Sequence, residues 1–154
     1  ARAARVVVVS SAAHFQAPSG GIDFDDLAAE RSYGAWRAYG QSKLANVLFA
    51  KALARRIGPK HTANALHPGV ISTNLGRNMN PLLGAVAGFV MRPFSKTIPQ
   101  GAATSCYVAA RPELEGVTGK YFSDCAVSEP SRRANDEALS ERLWDVSSQL
   151  TGLR

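Results

Sequence analysis

The 154 residues predict an α/β fold, a parallel sheet with helices covering both of its faces. Two observations carry this. Strand-like and helical segments alternate along the chain, and the first strand, Val6 to Val9, is an unbroken valine run. A strand with one wet face would alternate apolar and polar residues, whereas an unbroken β-branched run suits one buried on both faces. Right-handed crossovers then place successive strands side by side.

The elements follow in order. Val6–Val9 ends at Ser10-Ser11. Residues 16–34 contain Gly, Pro and Asp and form a long connection, with one helical turn expected around Asp26 to Arg31. From Ala35 to Ile57 the period is helical. Leu44, Val47 and Leu48 share one face and Phe49, Leu53 and Ile57 a second, so this helix packs on the sheet and on another element. Arg55 and Arg56 complement the helix dipole at its end, Gly58 suits the left-handed position beyond it, and Pro59 blocks continuation. A second strand spans Thr62 to His67 and stops at Pro68-Gly69. A second helix runs from Pro99 to Ala110 with Thr97 as N-cap. Lys120 to Phe122 reads as a third short strand. The last helix covers Asp136 to Leu150, with Leu139, Leu143, Val146 and Leu150 in one stripe and Asn135 or Asp136 as its cap.

Composition fits one globular domain, with 45% hydrophobic and 19% charged residues. The net charge of +6 invites a nucleic-acid reading, but the basic residues come as singles and pairs without the interleaved aromatics of a phosphate-tracking groove, so no nucleic acid is expected. The 2 cysteines and 3 histidines show no ligand spacing, so no metal is expected and the thiols read as reduced. No apolar run reaches the length of about 18 residues that a membrane span needs; Pro81 to Met91 is too short. The valine run at the N-terminus lacks the length and cleavage site of a signal peptide.

Chemistry concentrates at Tyr39 and Lys43. Residues four apart share one helix face, so phenol and ammonium can point into one crevice, and a cation held close favours the phenolate. Such a pair arises by chance roughly 0.13 times in a chain with these numbers of Tyr and Lys, so context must carry it. Ser10-Ser11 stands at the carboxyl end of the first strand, where ligands of open α/β sheets bind. His67-Pro68-Gly69, followed by Ser72 and Thr73, stands at the carboxyl end of the next strand. Gly69 lets backbone approach a flat ligand closely. Each feature alone has an ordinary structural explanation; their convergence on one sheet edge does not.

VVVVSSAAH (Val6 to His14), YGQSKLANVLFAKALARR (Tyr39 to Arg56) and ALHPGVIST (Ala65 to Thr73) resemble the short-chain dehydrogenase/reductase family. GVTGKYFSDC (Gly116 to Cys125) and RLWDVSSQLTGL (Arg142 to Leu153) are similar to its retinol dehydrogenase branch. The resemblance implies a Rossmann-like fold and an NAD(P)-dependent oxidoreductase that interconverts a lipophilic alcohol and its aldehyde or ketone. In that reading Ser11 hydrogen-bonds the substrate oxygen, and Tyr39 is the general acid or base. Lys43 tunes Tyr39 and holds the nicotinamide ribose, while Pro68, Gly69, Val70 and Thr73 hold the nicotinamide end. Residues 74–96 would be the substrate lid, and their apolar character suits a retinoid-like molecule. NADP is the cofactor the branch implies, with NAD open because the residues that read the ribose 2′ position belong to another part of the fold.

The chain departs from the family in three ways. It has no Gly-rich turn between strand and helix to cradle a pyrophosphate, no upstream catalytic Asn, and a longer Ser11-to-Tyr39 connection through QAPSGG. The resemblance therefore implies the C-terminal catalytic half of a longer protein, residues 1–154 forming one partial domain that is inactive alone. An unpaired apolar edge on the first strand would then make the isolated chain poorly soluble or prone to pair edge to edge. The alternative is an inactive relative acting as a scaffold or an apolar-ligand binder. Homodimerisation through the helix at 35–57 and membrane association through a segment outside this sequence complete the expectations. Location stays open between cytoplasmic and membrane-associated.

Overall fold

In the computed structural model, which describes residues 3–71 and 95–153, the valine run forms β1 (Arg5–Val9). After it come a 3-10 turn at Ala12–Gln16, helix α1 (Ala35–Arg56) and β2 (Thr62–His67). Helix α2 (Ile98–Ala110), strands β3 (Tyr121–Ser123) and β4 (Ala126–Val127), and helix α3 (Glu137–Thr151) complete the order. The strands lie in the order β1-β2-β3-β4. β1, β2 and β3 are parallel neighbours, as the alternation predicts, and β4 adds an antiparallel edge.

The register explains the uninterrupted apolar strands. Val8, Ala65 and Tyr121 lie in line across the sheet and pack with Leu44, Val47 and Leu48 of α1. One residue further along, Leu66 and Phe122 turn to the opposite face and meet Val108 of α2, with Leu114 and Val117 beside them. Successive strand residues point to opposite faces, so a sheet with a helix on each side needs apolar residues at both.

The helix ends behave as their residues dictate. Thr97 caps α2 in a reciprocal box: its Oγ1 accepts from the Gln100 N–H at 3.4 Å, and Gln100 Oε1 accepts from the Thr97 N–H at 2.8 Å. Asp136 caps α3 through the Leu139 N–H at 3.0 Å. Gly58 takes a φ of +74° beyond α1, the left-handed conformation that costs glycine nothing.

Three local expectations need correction. The helical turn around Asp26–Arg31 does not form. The Asp26 carboxylate instead accepts from the backbone N–H groups of Glu30, Arg31 and Ser32, and Ala29 adopts a φ of +55° incompatible with helix. The stripe on α3 ends early, because Leu150 is 73% exposed. The β3–β4 hairpin was not expected, since its turn, Asp124-Cys125, has no glycine although both residues sit at positive φ. Its compensation is tertiary: Lys96 pairs with Asp124, and the Cys125 N–H donates to Thr104 Oγ1 at 3.3 Å. Apart from its last two residues, the expected lid, 74–96, lies outside the described residues, as do Ser72 and Thr73. Among the described residues, no helix is long and apolar enough to cross a membrane and no cluster of metal-ligating side chains occurs.

Candidate active site

The site is built at the carboxyl edge of β1 and β2, and backbone hydrogen bonds hold its parts together. Ser10 continues the ladder, its N–H donating to the Leu66 carbonyl at 2.7 Å. The Ser10 hydroxyl is buried and donates to the Lys43 carbonyl at 2.7 Å, pinning α1 to the end of β1 at the turn that carries the lysine. Three residues on, Asn46 Nδ2 donates to the Val9 carbonyl at 3.1 Å. These two contacts fix the rotation of α1 about its axis, and with it the direction of Tyr39 and Lys43.

The adjacent serines divide their work. Ser10 is structural. Ser11 caps the Ala12–Gln16 turn, with its Oγ accepting from the Ala13 N–H at 3.1 Å. Its own hydroxyl proton has no acceptor among the described residues, so it stays available for donation to a ligand.

Gly40 explains how α1 comes so close to that turn. A Cβ there would lie 2.8 Å from the Ala13 carbonyl oxygen and 2.9 Å from the Ala17 nitrogen, both backbone atoms that cannot swing aside. Glycine inside a helix costs about 1 kcal/mol relative to alanine, and a mid-helix glycine is the signal that a close approach compensates for it. It immediately follows Tyr39, so the close approach of helix and turn is made next to the residue that carries the phenol.

Tyr39 and Lys43 share one helix face, with the Lys43 ammonium 5.5 Å from the Tyr39 ring centroid. Trp36, one turn earlier, meets Tyr39 edge-on with ring centroids 6.4 Å apart. The Tyr39 hydroxyl makes no hydrogen bond among the described residues, which leaves it open to a ligand.

The second wall is the Pro68-Gly69-Val70 turn. Gly69 has a φ of +93°, and the stem of Lys96 lies against it: a Cβ at Gly69 would be 2.5 Å from the lysine Cδ. The Lys96 N–H donates to the Val70 carbonyl at 2.7 Å, and its ammonium pairs with Asp124, whose carboxyl it holds below the usual range. His67 joins the walls, its Nδ1 accepting from the Ala12 N–H at 3.2 Å. Burial, with Lys96 nearby, lowers the His67 pKa and keeps the ring neutral. The structure thus brings Ser11, Tyr39, Lys43, Pro68, Gly69 and Val70 to one edge; Thr73 lies outside the described residues. Lys96 was expected only as the last residue of the lid, and Gly40, Asn46 and Asp124 were not foreseen as parts of this edge. Of these, Gly40 alone carried a readable signal, a glycine in mid-helix.

The chain was compared with known proteins. No family model matches it. It is 47% identical over 152 residues to human retinol dehydrogenase 14, covering 97% of this chain and 44% of that protein. To the chloroplastic short-chain dehydrogenase TIC 32 B of Brassica napus it is 47% identical over 152 residues, covering 95% of this chain and 46% of the relative. Human retinol dehydrogenase 12 is 45% identical, with 98% and 46% covered. The chain thus spans about half the length of these relatives. A crystal structure of an uncharacterised protein from Mycobacterium paratuberculosis superposes with a TM-score of 0.71 at 32% identity, covering 97% of this chain and 51% of that one. On this identity, sustained over nearly its whole length, the chain is similar to short-chain dehydrogenases and, among them, to retinol dehydrogenases.

Proposed function

We propose that this chain is the catalytic half of an oxidoreductase that interconverts a lipophilic alcohol and its aldehyde or ketone, with a nicotinamide dinucleotide as redox partner. One observation carries the reading. Tyr39 and Lys43 lie one helical turn apart, the ammonium 5.5 Å from the phenol ring, on a helix packed against the turn that Ser11 caps, and the Ser11 hydroxyl proton is uncommitted among the described residues.

Their chemistry follows from their types. In carbonyl reduction Tyr39 gives its phenolic proton to the substrate oxygen, and in alcohol oxidation it takes that proton back. Lys43 stabilises the negative charge that develops on the Tyr39 oxygen as the proton leaves. Ser11 donates its hydroxyl hydrogen to the same substrate oxygen and fixes where that oxygen sits.

The turn after β2 fits the nicotinamide end of a dinucleotide. Gly69 has no side chain to hold a flat ring away, and the three atoms nearest a Cβ built there belong to the flexible Lys96 side chain. Pro68, Gly69, Val70 and Thr73 would hold that end, and Lys43 the adjoining ribose. When bound, the cofactor supplies or accepts the hydride. NADP is the form proposed, from the likeness to retinol dehydrogenases.

A lipophilic substrate is supported by the apolar side chains around the edge. Val9, Phe15, Trp36 and Val70 are all exposed, Trp36 at 65%, and each lies within a few residues of Ser11, Tyr39 or Gly69. Exposed large apolar groups so close in sequence to the site residues suit an apolar ligand.

The test is reduction of a retinoid aldehyde by the protein at its natural length, followed by NADPH consumption. Turnover that falls by about 10²-fold or more in Tyr39→Phe, while NADPH still binds, supports the reading. Retinoid binding without turnover would establish an apolar-ligand binder instead. NADH turning over as fast as NADPH would overturn the cofactor preference.

A further inference from the structure

We propose that His14 is a positioning residue of the site, a buried strut that holds the Ser11 turn in the arrangement presenting its hydroxyl. The inference rests on the role proposed for Ser11 and adds a residue to it.

His14 is 1% exposed and both of its ring nitrogens are engaged. The Ser131 N–H donates to Nε2 at 3.0 Å, so Nε2 carries no hydrogen. The proton of the neutral ring is therefore on Nδ1, which lies 2.6 Å from the Ser11 carbonyl and donates to it. Burial pushes the His14 pKa below the ordinary histidine value, in keeping with a neutral ring. His67 takes the opposite tautomer: its Nδ1 accepts from the Ala12 N–H, which leaves the proton of the neutral ring on Nε2.

The strut joins segments 117 residues apart in sequence. At one end, the Ser11 carbonyl also accepts the His14 backbone N–H at 3.1 Å while the Ser11 Oγ accepts from Ala13, so both oxygens of Ser11 are fixed. At the other end, Ser131 opens the 3-10 turn Arg132–Asn135, whose Ala134 is buried in the core against α1 and α3. The imidazole lies 5.0 Å from the Tyr121 ring and cannot rotate without opening the core. Ser131 thereby sets the tautomer and seat of the ring, and the Nδ1–H bond to the Ser11 carbonyl is the contact that holds the serine turn at the end of β1.

Two substitutions separate the two ends. His14→Asn places an amide N–H near the position of Nδ1 and keeps the bond to Ser11, but it is too short to reach Ser131. His14→Gln reaches the Nε2 position and keeps the bond to Ser131 but not to Ser11. In the natural-length protein, His14→Gln is expected to lower kcat by about 10- to 100-fold with little change in KM for NADPH, while His14→Asn retains most of kcat. Melting temperatures of the two variants measure the loss that a purely structural role would cause in both. Equal kcat losses in the two variants, tracking melting temperature, would overturn the proposal.

Nitrogen-15 spectra of histidine-labelled protein give a reading independent of turnover. An Nδ1–H ring is expected for His14, vanishing in His14→Asn, beside an Nε2–H ring for His67. An Nε2–H or charged ring at His14 at neutral pH would also overturn the proposal. Absence of Tyr39-dependent turnover in the wild-type protein would remove the oxidoreductase reading, and the spectra would still decide the geometry of the strut.

Discussion

The two sides of α1 are held by different forces. Toward the carboxyl edge of the sheet, its contacts are hydrogen bonds to backbone: Ser10 to the Lys43 carbonyl, Asn46 to the Val9 carbonyl, and the bare Gly40 against the Ala13–Ala17 turn. Toward α3, charge and aromatic rings meet. Arg55 and Arg56 both pair with Glu141, Trp144 stacks on Phe49 at 5.7 Å and 10°, and the Arg56 guanidinium lies 4.5 Å over the Trp144 ring. Between the charges, Ser140 is buried and donates to the Leu48 carbonyl at 2.9 Å. Backbone contacts have little slack and suit a region that must hold a few side chains within fractions of an ångström. A seam of long charged side chains tolerates adjustment, because its individual pairs are exposed and weak.

That contrast predicts where activity and stability come apart, and the largest separation belongs to Tyr39→Phe. It removes an oxygen with no hydrogen bond among the described residues, so the melting temperature should stay near wild type while turnover falls by about 10²-fold or more. A comparable fall in both would mean that the phenol is structural. Gly40→Ala comes next. Alanine is the better helix former by about 1 kcal/mol, but a Cβ 2.8 Å from a carbonyl oxygen forces α1 or the serine turn to move, an overpacking cost of about 1–3 kcal/mol. Urea denaturation should show a net loss, with turnover reduced beyond what that loss explains. Gly40→Ala more stable than wild type would show that the turn yields easily.

Much of this was legible in the sequence, and the limits have physical causes. The valine run and the alternation of elements revealed a doubly covered parallel sheet, because burial on both faces leaves no polar period in a strand. The end of α1 was legible in Gly58-Pro59, since both residues act through their own backbone. The β3–β4 turn was not, because Asp124 and Cys125 are held at positive φ by Lys96 and Thr104, residues 28 and 21 positions away. Nor was the division of work between Ser10 and Ser11. Two identical neighbours differ only in which way a strand points them, and that depends on Lys43 in one case and the Ala12–Gln16 turn in the other. His14 stood in a recognised motif, yet its partner Ser131 could be found only in three dimensions.

Acid should weaken the site side before the α3 seam. Burial lowers the pKa of both His14 and His67, so the folded chain disfavours protonated rings while the unfolded chain accepts protons near the ordinary value of 6.5. The unfolded state then binds more protons as pH drops below that value, and stability falls with it. Stability from these two rings is therefore complete above about pH 6.5 and is lost from there down through their folded pKa values. Near His67 the titratable neighbours are Lys96 and His14, which disfavour its protonation, and Asp124, which favours it. Denaturation at stepped pH between neutral and mildly acid conditions should show this slope, and His14→Asn should flatten it. A wild-type slope of zero would mean that neither ring is held neutral by the fold.

The seam should respond later and least. Glu141 is held down to about 2 by the side-chain hydrogen bonds from Arg56 and Arg55, whereas an ordinary glutamate titrates near 4.5. Its folded pKa is depressed, so its contribution is present above about 4.5 and is lost as pH falls through about 2. The group is exposed, and water and salt screen the pairs, so Glu141→Gln should cost less than any change above. The cost should also shrink as salt is added, whereas the loss in Gly40→Ala, which is steric, should not. If Glu141→Gln instead destabilises the chain more than Gly40→Ala at every salt concentration, the seam with α3 is the rigid side of α1 and the serine turn the compliant one.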